Sequence, residues 1–388
     1  MTSKRAIMRQ LASLAWPIVG LNVLNVLALA VDTAMCGRLP DSATALAALS
    51  YSTQVIFLLM VAMLGLTVGT VATVARAHGA GITDRVDHVL LQSTQWTVLL
   101  SVAIAAIGNL LAPQILRLLG ATDATMAAGL EYLRPLITFT VFFYLNILYA
   151  GVLRGVGNTR LPFTIALASN ALNVFLNYGL ILGNMGFPAW GIGGAAVGTV
   201  LSHCFGAGTM IVLLMRGHVP GVKLSLRPKA LDMELGKMLA KVGWPAALDM
   251  VVLNAGFVAM VGFLGRLDEV AVAAHGVGLR IQALAFVPGM SVSQATGALV
   301  GQALGAGDIR RARLTLRASL LMCVLIMGIP GIVFILAENA IVGIFDVHAG
   351  TVLGDYAIEW LEILGWGMPV FGLHLAFVGL LQGAGETM

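Results

Sequence analysis

Ten runs of mostly apolar residues dominate this chain: 11–35, 46–74, 91–111, 133–152, 161–183, 191–215, 238–263, 271–302, 315–337 and 356–381. As a helix, a run of about 20 residues matches the hydrocarbon thickness of a bilayer. Water is absent at that depth, so each run must close its own backbone hydrogen bonds, which a helix does. Composition points the same way. Hydrophobic residues make up 59% of the chain and charged residues 10%, with a mean hydropathy of +0.94. A soluble core cannot absorb that much apolar surface. The expected fold class is an all-α polytopic membrane protein. The opening MTSKRAIMRQ resembles a signal peptide, but the run after it is long and lacks a small-residue cleavage site, so it is expected to remain as an anchor.

The first run carries the most informative exceptions to apolarity: Pro17, Asn22, Asn25 and Asp32. At 100° per residue, Asn25 and Asp32 project within about 20° of each other, with Asn22 on the flank. A carboxylate at membrane depth costs roughly 2.5–3.5 kcal/mol, so it is expected to face a cavity and to act there. The plainer alternative is a carboxylate solvated at the outer interface, because the charged loop begins at Arg38.

Charge sets the expected orientation. With the N-terminus inside, 17 of the 22 Lys and Arg residues fall on the inner side, including Lys4, Arg5, Arg9 and the cluster Arg310, Arg311, Arg313 and Arg317. This is the positive-inside pattern of a multi-pass cell (inner) membrane protein with a cytoplasmic N-terminus. The net charge of +4 is confined to loops and does not indicate a nucleic-acid partner. Cys36, Cys204 and Cys323 show no metal spacing and read as small apolar fillers.

The chain also repeats itself. GVLRGVGNT at 151–159 returns as GLLQGAGET at 379–387, and VARAHGAG at 74–81 returns as VGQALGAG at 300–307. The repeat predicts two like-oriented bundles with substrate between them: a first lobe over 1–217, a cytoplasmic linker over 218–236 containing Pro220, Gly221 and Pro228, and a second lobe over 237–388. The first copy runs on through two more helices after its motif, whereas the second reaches Met388 directly. The expectation is two pseudo-symmetric six-helix bundles, the second lacking its last two helices in this chain.

These motifs, in this order and at this distance, resemble the multidrug and toxic compound extrusion (MATE) family. The resemblance rests on Leu14, Pro17 and Asp32, on the paired G-x-L-R/Q-G-x-G-x-T loops, and on AAHGVGLRIQALAFVP with VGQALGAGD at 273–288 and 300–308. The last pair is most similar to the DinF branch. The resemblance implies export of amphipathic organic cations and related toxic compounds by antiport against protons or sodium, with no cofactor beyond that gradient. It also implies a first helix that hinges near Pro17. It places an ion-coupling site at Asp32, Asn173 and Thr199, with Asn177 where the branch pattern has a second carboxylate. Asn170, Asn173 and Asn177 share about 60° of one helix face, although a buried asparagine also serves as glue between helices.

The second lobe departs further, since Leu253 and Phe371 stand where the NorM-type branch carries acids. Asp249 reads equally as an accessory proton site or one half of a structural pair, and Arg280 as its partner or a partner of backbone carbonyls. His374 reads as a packing histidine. With Asn25, Asn170 and Tyr178 these form the candidate substrate or accessory set. Aromatics such as Phe139, Tyr144 and Tyr149 either line a pocket for flat cations or simply pack, and Trp96, Trp190 and Trp360 read as interfacial belt residues. Competing functions are a lipid-linked oligosaccharide flippase, for which Arg280 alone supplies intramembrane cation, and a membrane enzyme or receptor, for which no nucleophile, base or metal cluster is present. The proton is the expected coupling ion, with sodium at Asp32 as the alternative; a monomer is expected.

Overall fold

The computed structural model describes residues 4–225, 227, 229–344 and 350–386; Pro228, Thr387 and Met388 lie outside them. Inner denotes the side on which the first helix starts, outer the side on which it ends. The described residues form α1 (Lys4–Cys36), α2 (Ser42–Gly79), α3 (Thr83–Leu118), α4 (Asp123–Thr138), α5 (Thr140–Gly155), α6 (Arg160–Leu182), α7 (Gly191–Met215), α8 (Met233–Leu267), α9 (Glu269–Gly305), α10 (Ile309–Leu336), α11 (Glu338–Gly343) and α12 (Val352–Ala384). Among the described residues there is no strand, only an isolated bridge between Val219 and Val222. Helix starts fall where capping side chains stand. Thr122, Asp232, Asp268, Asp308 and Thr351 each accept from a backbone N–H two or three residues on.

Eight of the helices are individually long and apolar enough to span a bilayer, and there are ten spans when each of two bent pairs counts once. The chain is a multi-pass membrane protein. One bent pair is α4 with α5, which meet at 53°; the other lies inside α9, between Ala283 and Ala285, at 43°. Pro288 accounts for the second bend: in a straight helix its ring would collide with the carbonyl four residues earlier.

Small residues set how the helices meet. Gly65 and Gly69 of α2 form a G-x-x-x-G stripe against α8. A Cβ at Gly65 would lie 3.0 Å from the Gly243 carbonyl oxygen, and one at Gly69 would lie 2.5 Å from that of Leu239. In α12, a Cβ at Gly372 would lie 2.7 Å from the Cys323 carbonyl of α10. Lipid is as apolar as leucine, so close backbone approach of this kind drives association within a membrane.

The cores do not follow the sequence halves. Leu235 and Leu239, at the inner end of α8, sit in the core built by α2, α3, α5 and α7, with Tyr144 and Tyr149. Conversely Ile7, Leu11, Leu14 and Ile18 of α1 pack with Val292 and Leu299 of α9, Ala318 and Cys323 of α10 and Ala376 of α12. Each half lends the inner part of its first helix to the other. Beyond Gly243 no described residue of α8 is buried.

The segment between α7 and α8 is stitched along α3. Asp87 accepts from Lys223 N–H (2.7 Å), Gln92 donates to the Ala230 carbonyl (2.9 Å) and accepts from Asp232 N–H (3.0 Å), and Gln95 donates to the Lys229 carbonyl (2.8 Å). The Asp232 carboxylate accepts from Leu235 N–H and stands 3.1 Å from His88; these contacts hold its carboxyl below the usual carboxylate range.

Two tryptophans read as belt residues have protein partners instead. Trp360 donates to His275 (3.1 Å), which is 4% exposed, and the Trp96 indole lies on Gly236. Trp190 is exposed, as a belt residue would be. Tyr144 and Tyr149 are core residues; Tyr144 donates to the Leu59 carbonyl (2.6 Å).

Two outcomes are expected. Gly69→Ile drives α2 and α8 apart and lowers stability by about 1–3 kcal/mol, read as an earlier thermal transition in detergent; an unchanged transition would contradict the close packing. Gln92→Ala frees the stitched segment, so trypsin cuts faster at Lys223 and Lys229 in folded protein. Wild-type cutting rates in that variant would mean the stitches do not protect it.

Candidate functional site

Asp32 lies in the last turns of α1, four residues before Cys36 where the helix ends, close to the outer side. It is nevertheless only 5% exposed. Solvation at the interface, the plainer alternative, therefore does not describe it. Three helices cover the group. Asn177 of α6 donates to the Asp32 carboxyl at 2.5 Å and stands 3.3 Å from the Asn173 side-chain oxygen. Asn173 in turn donates to the Thr199 hydroxyl of α7 at 3.3 Å. Asn173 and Asn177 are 5% and 0% exposed. The four residues form one continuous polar chain across α1, α6 and α7.

The sequence of α7 explains why that chain can close. It opens GIGGAAVG, so its first turns carry almost no side chain toward α6. Gly194 lies against the Leu180 carbonyl, and Gly198 lies against the Asn177 side-chain oxygen. A side chain at 198 would push Asn177 off Asp32. The Asn177 oxygen is buried and accepts no hydrogen bond, which leaves an unused acceptor beside a carboxyl. A proton on Asp32 or a small cation is the kind of occupant that such an oxygen meets well. For sodium the available ligands would be the oxygens of Asp32, Asn173, Asn177 and Thr199. No cluster of three His, Cys, Asp or Glu exists among the described residues, so a transition-metal centre is not indicated there.

One neighbour escaped the sequence reading. Tyr132 of α4 is 4% exposed and packs with Cys36 and Ile181, each four residues beyond Asp32 and Asn177 respectively. It is close enough to Asp32 to interact with it electrostatically. The sequence span began at 133, so Tyr132 lay at its boundary.

The remaining candidates are not gathered at this site. Asn170 is half-buried and donates to its own helix at Ala166; Tyr178 is 39% exposed. Asn25 is exposed, while its flanking Asn22 donates to Ser291 of α9 at 3.0 Å. Asp249, Arg280 and His374 are all exposed, and no ion pair joins Asp249 to Arg280 among the described residues. Asn254 donates back to Met250 within α8. Pro17 is buried within a continuous α1. It stands at the boundary between the inner segment held by α9 and α10 and the outer segment facing α6, where Trp16 meets Phe163 edge-on at 5.4 Å.

On the inner side the two halves are joined by polar contacts. Arg154 of α5 donates to Gln294 of α9 (2.8 Å), and Gln302 of α9 donates to the Gly155 carbonyl (2.8 Å). Arg76 of α2 donates to the Ala384 carbonyl at the end of α12.

Comparison with known proteins agrees with this architecture. The MatE family model matches residues 17–179 and 245–388. A probable multidrug resistance protein NorM from Thermotoga maritima is 28% identical over 98% of this chain and 81% of its own length. The multidrug resistance protein NorM of Burkholderia vietnamiensis is 30% identical over 97% of this chain and 81% of its own. Among solved structures, MATE in the bent conformation superposes with a TM-score of 0.88 at 21% identity, covering 100% of this chain and 85% of that one. The family match, extending over well more than half of the sequence, shows that this chain belongs to the multidrug and toxic compound extrusion (MatE) family of membrane transporters.

Proposed function

We propose that the chain exports amphipathic organic cations across the cell membrane by alternating access, in exchange for protons taken up at Asp32. The observation that carries this reading is the buried Asp32–Asn177–Asn173–Thr199 chain. The names of the multidrug-resistance relatives support the substrate class. A single carboxyl ringed by neutral amides and a hydroxyl is least costly with its proton on. Protonated, it can donate to an asparagine oxygen, and the amide of Asn177 can turn to accept. Ionised, it accepts from Asn177 and attracts water or a cationic substrate. The two forms therefore favour different seatings of the outer part of α1. Because the inner part of α1 is held by the other half, a change of seating is referred to Pro17. The DinF-like branch rests on the motif at 273–288, and the cytoplasmic N-terminus on the distribution of Lys and Arg.

Sodium is the second reading, favoured by the unused Asn177 oxygen. Uptake of a fluorescent cation into everted vesicles, whose lumen corresponds to the cell exterior, separates the two at fixed membrane potential when the pH and sodium gradients are collapsed one at a time. The expected result is loss of uptake when the pH gradient alone is collapsed. Transport that persists without the pH gradient but stops without sodium would transfer the coupling to sodium.

Asp32→Asn should abolish gradient-driven efflux. Asn177→Ala should weaken the site by about 1–3 kcal/mol, the worth of a hydrogen bond to a charged or buried group, seen as roughly tenfold slower efflux. Asp249→Asn, at an exposed carboxylate with no ion pair among the described residues, should lower efflux several-fold and leave it gradient-dependent; complete loss there with a fully active Asp32→Asn would reverse the two roles.

For alternating access the inner contacts must open. Gln294→Ala should raise the reactivity, from the inner side, of a cysteine placed at Val68, without unfolding the protein. Unchanged labelling would show that the Arg154–Gln294 contact does not hold that side closed.

A further inference from the structure

Where α2 ends and α3 begins, a cavity of about 670 Å³ opens on the inner side, a volume typical of small-ligand pockets. Ala72 and Ala77 of α2 and Ala80 just beyond its end, with Ile82, Met238 and Val242, give it an apolar lining. Arg76, Arg85 and Lys241 also line it, against one carboxylate, Glu386. The ends of α2, α9 and α12 converge here through Ala80, Gly305 and Gly385, and helix C-termini attract cations. That accounts for Arg76, which donates to the Ala384 carbonyl. It does not account for the other two. Arg85 lies in the first turn of α3 and Lys241 in the third turn of α8, and neither has a hydrogen bond or ion pair among the described residues. An apolar hollow with two unengaged cations suits a ligand with an anionic head and an apolar body.

We propose that this cavity binds an anionic phospholipid of the inner leaflet, its phosphate between Arg85 and Lys241 and its glycerol and first methylenes against Ile82, Met238 and the α2 alanines. Basic pockets between membrane helices on the cytoplasmic side take acidic headgroups in this way. The assignment depends on the orientation set by the Lys and Arg distribution, not on the coupling chemistry at Asp32. The walls come from both sequence halves, so a bound lipid holds α2, α3 and α8 together with the ends of α9 and α12 on the inner side.

The test is lipid retention, measured by native mass spectrometry of protein extracted from vesicles of phosphatidylglycerol and phosphatidylethanolamine. Wild type should retain phosphatidylglycerol. Arg85→Gln with Lys241→Gln should retain it about tenfold less, while Arg85→Lys with Lys241→Arg restores retention. Ala80→Phe, which fills the hollow and changes no charge, should also lose the lipid. Arg310→Gln with Arg313→Gln, which do not line the cavity, should not. Equal loss in that pair would reduce the effect to general surface charge and overturn the site. Displacement of the lipid by millimolar inorganic phosphate would make it a site for free anions and overturn the lipid assignment. A photoreactive residue at position 82 should crosslink to lipid; crosslinking only to the protein's own chain would show the hollow filled by polypeptide and also overturn the proposal. Thermal transitions of all variants near wild type are the expected control, and Ala80→Phe decides the matter should the double variant unfold.

Discussion

Helices in a bilayer gain nothing from burying leucine against leucine, because lipid offers the same surface. What remains is how closely two backbones approach, and this protein depends on that throughout. Gly65 and Gly69 let α2 rest on the α8 backbone, Gly372 lets α12 rest on α10, and the glycines and alanines that open α7 let α6 come near enough for one asparagine to reach a carboxylate on a third helix. The site is a product of this packing. Asp32 sits near a helix end, where water would ordinarily reach it, and is dry because small residues elsewhere allow its neighbours to close over it.

Much of this was legible in the chain. Apolar run length gave the spans, since a bilayer imposes a length and a helix satisfies it. Polar residues on one helix face singled out Asp32 and the Asn170, Asn173 and Asn177 stripe, the family resemblance joined them, and the fold brings Asp32, Asn173 and Asn177 into one hydrogen-bonded chain. Where the reading stopped, the reason is physical. Tyr132 looked like any aromatic at a span boundary; only the fold brings it against Cys36 and Ile181. Gln92 and Gln95 drew no notice within the run 91–111, yet they hold a connecting segment by its backbone, and backbone partners leave no mark on sequence. Trp360 looked like a belt residue because periodicity reports depth and not the histidine waiting beside it.

The exchange of first helices was also invisible in sequence, because Leu235 and Ile7 are equally apolar whichever core receives them. The repeat in the sequence suggests one division of the chain, and packing makes another. The two divisions differ at α1 and α8, the helices on which the halves depend for each other.

That exchange has a mechanical consequence. Each half grips the other by the inner shank of a borrowed helix, so the pair is clasped at one end like crossed tongs. The halves cannot part on that side by sliding; any rocking must be absorbed as flexure in the two shared helices. Both carry a proline where the borrowed shank gives way to the free limb, Pro17 in α1 and Pro245 in α8. Proline removes one rung of the hydrogen-bond ladder and lowers the local resistance to bending. Under the proposed alternating access, the clasp would turn a separation of two bodies into bending at two matched fulcrums, and one of the limbs so moved carries Asp32.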